Sequence, residues 1–123
     1  MATVRTDKEL GKALKNGADE IIIEGDLKKK VLRIKATGKV AWGVAIGAIG
    51  VIVLALLAAP ETAGTSSIVG AASFAPAAAA VGGADVAVTA IGIAVAAGGI
   101  GALNKLRNYK IVEKTSSRVV LHR

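Results

Sequence analysis

Between Val40 and Asn104 only two side chains carry charge, Glu61 and Asp85, so the apolar middle of this chain has almost nothing with which to do chemistry. An intramembrane carboxylate would be a proton-relay candidate. Asp85, however, lies about 20 residues before Lys105, which places it near the end of an apolar span, where a helix cap or a solvated acidic position is the plainer role. The one histidine, His122, stands alone beside Arg123, and there is no cysteine, so disulfides, thiol catalysis and cysteine-based zinc sites are excluded. No phosphate-binding glycine loop, metal-ligand spacing or nucleophile motif occurs. The expectation is a non-enzymatic protein with no cofactor and no catalytic or metal-binding residues.

The basic residues carry the stronger signal. Up to Lys39 there are ten Lys and Arg against six acids, and from Lys105 onward six against one. Lys28, Lys29, Lys30, Arg33, Lys35 and Lys39 form a run that could meet anionic lipid headgroups, each basic residue near the surface contributing about 1 kcal/mol. Despite a pI of about 10.0, no recognition motif or interleaved aromatic residues point to nucleic acid.

Between the basic ends lie two apolar runs. "VAWGVAIGAIGVIVLALLAA", Val40 to Ala59, has the roughly 20 residues needed to cross a hydrocarbon core before Pro60 ends it. "VAVTAIGIAVAAGGIGAL", Val86 to Leu103, is similar in length. Basic flanks on both sides favour an even number of crossings with both termini cytoplasmic, in a bacterial-type inner membrane. Trp42 and Tyr109 then fall near the cytoplasmic boundary, where amphipathic rings anchor helices.

Small residues stripe both runs. Gly43, Gly47 and Gly50 share one helix face, as do Gly92, Ala96 and Gly99, and such stripes allow close helix packing in lipid. The pattern resembles that of glycine-zipper membrane proteins; the stripes could simply close the hairpin within one chain, but small residues lie on more than one face of the second helix, so these six positions are expected to form an interface between copies of the chain.

Local signals organise the ends. "TDKE", Thr6 to Glu9, has capping-box spacing before a short helix with Leu10, Ala13 and Leu14 on one face and a stop at Asn16 and Gly17. "EIIIE", Glu20 to Glu24, reads as a strand, and Tyr109 to Lys114 with Arg118 to His122 reads as a hairpin.

The expected fold is a membrane α-helical hairpin of two long antiparallel transmembrane helices, with a small α+β cytoplasmic cap of about three strands drawn from both termini. Its divisions are a cytoplasmic N-terminal segment 1–39, helix 40–59, an external or re-entrant segment 60–85, helix 86–104 and a C-terminal hairpin 105–123. In a second form the later helix starts at Pro76 and continues to about Asn108. The expected function is a small integral membrane protein that self-assembles into a homo-oligomeric scaffold or ring, with itself and membrane lipids as partners. The alternative is a pore-forming or holin-like permeabilising protein, against which stands the near absence of polar residues along either span.

Overall fold

The computed structural model describes residues 2–58 and 74–123. In chain order these form β1 (Ala2–Val4), α1 (Asp7–Lys15), β2 (Glu20–Glu24), α2 (Leu27–Ala36), α3 (Lys39–Ala58), α4 (Phe74–Val81), α5 (Ala84–Ala97), α6 (Gly101–Asn108), β3 (Lys110–Lys114) and β4 (Arg118–His122).

Local chemistry explains the first elements. Thr6 stays extended at the start of α1 and its hydroxyl accepts the Glu9 N–H at 3.2 Å, while the Glu9 carboxylate accepts the Arg5 N–H at 3.1 Å. Leu10, Ala13 and Leu14 are buried on one face of that helix, which ends before Gly17 at φ 69°. In α2, Leu27, Val31 and Ile34 recur at helical spacing and are buried, leaving Lys29 and Arg33 outside. Along β2 burial alternates, with Ile21 and Ile23 fully inside.

The strands make one four-stranded mixed sheet in the order β1-β2-β4-β3, with β1 and β2 parallel and the other pairs antiparallel. Ile21 faces Leu121 and Ile23 faces Val119 across β2 and β4, and all four belong to the buried core. β3 is exposed along its length and bulged between Ile111 and Glu113. That bulge and the flanking Lys110 and Lys114 blunt the edge against pairing with another strand.

This architecture corrects the two-helix membrane hairpin. Among the described residues, α3 is the one helix long and apolar enough to cross a membrane. The second apolar run is broken twice. Gly82 and Gly83, at φ 91° and 158°, turn the chain so that α4 and α5 meet at 106°, and Gly98, at φ 86°, ends α5 before α6 begins. Its Gly98 N–H bonds the Val95 carbonyl at 3.1 Å and the Gly99 N–H bonds that of Ala94 at 2.9 Å, so the break leaves these backbone donors paired. Pro76 sits in the first turn of α4, and α4 stops at Val81 instead of running on.

Nor is α5 a lipid-facing span, because it packs against α1, α2, α3 and α4. The contact with α1 is unusually close. A Cβ placed on Gly11 would stand 2.5 Å from the Ile93 carbonyl oxygen and 2.6 Å from the Ala96 Cβ. Helices that near each other need small residues, which is where the Ala and Gly of this chain are used: Ala87, Ala90 and Ala94 are fully buried beside Ile91 and Ile93. The expected transmembrane helices of a glycine-zipper assembly therefore give way to an α+β layer fold whose small residues close its own core. Residues 59–73, including Glu61 and most of the expected external segment, lie outside the described residues.

Candidate functional site

Helix α3 is apolar on every side, a pattern expected of a helix buried all round. The described residues cover only half of it. Trp42, Ala45, Ile49, Ile52, Val53 and Leu56 pack inward, mainly against α4 and α5. The opposite face, Val40, Val44, Val51, Leu54 and Leu57, is open, with Val40 86% and Leu54 71% exposed. Steps of three, four and seven residues put these side chains on one stripe about 26 Å long. Lys39 stands at its start, and no charge interrupts it before Ala58.

The glycines expected at an interface divide between two environments. Gly43 and Gly47 are exposed on the open face, with nothing within 4 Å of an added Cβ, whereas Gly50 is buried, 3.4 Å from Ile100 Cδ1 by the same measure. Gly92 is already occupied, since the Asp7 carboxylate lies where its Cβ would be, and Ala96 abuts Gly11. Gly99 belongs to the α5–α6 break. The structure thus does not bring these six positions onto one surface.

The basic run also divides. Lys29 and Lys39 are exposed, and Lys28 and Lys30 are half-buried. Arg33 donates from Nη1 to the Gly82 carbonyl at 2.7 Å, which pins the α4–α5 turn. Lys35 is drawn inward, donating to the carbonyls of Leu106 at 3.1 Å, Arg107 at 3.2 Å and Tyr109. Arg107 reciprocates with bonds of 2.8 Å to the carbonyls of Ile34 and Thr37. Each cation therefore adds hydrogen bonds to carbonyls at the end of the other's helix, where the helix dipole also favours positive charge. Above this joint the Arg107 guanidinium lies 4.6 Å from the Trp42 ring centroid, and Trp42 Nε1–H donates to Asn104 Oδ1 at 3.0 Å. Trp42 and Tyr109 are thus buried parts of the fold, not boundary anchors, and the Tyr109 hydroxyl bonds the Ala18 carbonyl. Sequence reasoning overlooked this joint; its trace was the basic residue in the last turn of both α2 and α6.

Burial, and then the nearby Arg107 charge, lower the Lys35 pKa below 10.5. The unfolded chain holds that proton longer than the native one, so the penalty on the charged form is relieved as pH rises toward 10.5. Lys35 alone makes stability rise with pH across that window. Burial raises Tyr109 above 10.0, so its titration makes stability fall with pH above that value. Urea melts up to pH 10 are expected to show the rising component in the wild type and to lose it in Lys35→Met. An equal slope in both would remove Lys35 as its source.

Asp85 is exposed in the first turn of α5, and His122 is exposed at the end of β4, its Nδ1 2.9 Å from the Arg123 carbonyl oxygen. Among the described residues no group of three His, Cys, Asp or Glu is placed to hold a metal ion.

A family model described as "Uncharacterised protein PM1101" matches residues 3–122. No curated protein matches the chain, and neither does any solved structure.

Proposed function

We propose that this chain, which belongs to the family described as uncharacterised protein PM1101, is a membrane-surface protein that sets the open face of α3 into one leaflet and keeps its α+β layer outside. The observation that carries the reading is the uncharged stripe from Val40 to Leu57, apolar and left open by the described residues. Three features favour lipid over a protein partner. The stripe is built from Val, Leu, Gly and Ala, without the Trp, Tyr or Arg that anchor most protein interfaces. It offers no side-chain polar atom for the hydrogen bonds such interfaces carry. The chain is also strongly basic, at net +7, with Lys39 at the head of the stripe.

The geometry favours lying in the leaflet over crossing it. A crossing by α3 would carry α5 and the charged α1 packed on it toward the hydrocarbon, whereas an interfacial helix sinks only about 5–10 Å. The role is attachment, with no chemistry assigned to any side chain.

Flotation with phosphatidylcholine vesicles, with and without phosphatidylglycerol, tests this reading. Binding is expected to both, stronger with phosphatidylglycerol, and the added increment is expected to vanish at high salt while the apolar part remains. A chain that stays behind with both vesicles and elutes as a dimer in aqueous buffer would show that a second copy covers the face, and would overturn the proposal.

A further inference from the structure

Where α5 breaks into α6, a cleft of about 230 Å³ opens against α3. Val53, Leu54 and Leu57 line one wall, and Gly98, Gly99 and Ile100 line the other. Resting on the membrane-surface reading, we propose that this cleft takes one acyl chain of a bilayer lipid.

The missing side chains are what make the cleft. Gly98 has a backbone reason to be glycine, its φ of 86°. Gly99 has no positive φ, and a Cβ added to it would meet nothing within 4 Å. Neither strain nor close packing accounts for its lack of a side chain, and its effect is to leave the space open. The lining is apolar, and the amides of Gly98 and Gly99 are already bonded to Val95 and Ala94, so water entering would find few partners there. Apolar cavities of about 150 Å³ stay dry and bind benzene, so this one has room for a longer hydrocarbon segment.

The occupant follows from where the cleft opens. Leu54 and Leu57 belong both to its wall and to the open stripe of α3, so a chain in the leaflet could enter without crossing water. A lipid held there would fasten the protein to one molecule of the leaflet in addition to the non-specific burial of the stripe.

Native mass spectrometry of the full chain, extracted in mild detergent from phosphatidylcholine and phosphatidylglycerol vesicles, tests this. The wild type is expected to carry one phospholipid adduct. Gly99→Leu, which fills the space from the α5–α6 side, is expected to lower that population about tenfold while flotation is unchanged. Ile100→Phe, which fills it from a second position off the open stripe, should act likewise and guards against a folding defect in the first variant. Equal adducts in the wild type and both variants would overturn the cleft, as would a wild type that floats without an adduct. A fatty-acid mass in place of a phospholipid would overturn the assigned source. Failure of the wild type to float at all is the separate failure of the membrane-surface reading.

Discussion

Val44→Asp combined with Val51→Asp is expected to abolish vesicle flotation while leaving the fold intact. Both side chains are more than half exposed on the open face of α3, at 53% and 59%, so their replacement removes little native packing. Surface changes of that kind usually alter stability by no more than about 0.5 kcal/mol. In the leaflet the balance reverses. A carboxylate at the centre of a membrane helix costs about 2.5–3.5 kcal/mol, and at interfacial depth we expect about 2 kcal/mol for each. The pair then costs about 4 kcal/mol, a loss of roughly a thousandfold in binding. Val44→Ala with Val51→Ala adds no charge and should weaken flotation only slightly. If the double Asp variant floats like the wild type while its circular dichroism and melting midpoint are unchanged, lipid does not contact this face.

The second large effect concerns the core. Gly→Ala inside a helix ordinarily adds stability, by about 1 kcal/mol. At Gly11 the sign should invert, because the new methyl would sit 2.5 Å from the Ile93 carbonyl oxygen and must drive α1 away from α5. Overpacking of this kind costs about 1–3 kcal/mol, and backbone on the opposing side cannot swing aside as a flexible side chain could. Set against the ordinary helix gain, we expect a net loss of about 1 kcal/mol for Gly11→Ala, near 4 °C in melting midpoint for a chain of this size, and more for Gly11→Val. Ala96→Gly in the Gly11→Ala background removes one of the two obstructions and should restore part of the loss. Gly47→Ala, which meets nothing on the open face, should stabilise. A gain at both glycines in thermal melts would mean that α1 and α5 are not in close contact.

What the sequence disclosed was set by how local each signal was. The Thr6 cap, the alternation in Glu20–Glu24 and the turn between Lys114 and Arg118 involve neighbours within a few residues, and strands or helix ends stand there in the structure. β1 has only Ala2, Thr3 and Val4 and gains its order by pairing with β2, which no local pattern announced. The run from Val86 to Leu103 was misread because its composition suits lipid and a small-residue core equally well. The deciding fact is that α1, some 80 residues earlier, lies on it. In α3 the inner and outer faces are equally apolar, so only tertiary packing distinguishes Ile49 from Val51. The joint of Lys35 and Arg107 likewise depends on two helix ends far apart in sequence.

The sheet order has a consequence for how the molecule is made. β2 has its antiparallel neighbour in β4, so Ile21 and Ile23 wait for Val119 and Leu121 before their layer can close. Helix α3 is finished roughly 60 residues before β4 begins. At roughly 5–20 residues per second of synthesis, that interval is about 3–12 s. Throughout it the most apolar helix among the described residues is outside the ribosome's active centre while the sheet is incomplete. Whatever first receives the nascent chain, a chaperone or a bilayer, is thus expected to meet α3 before it meets a folded protein.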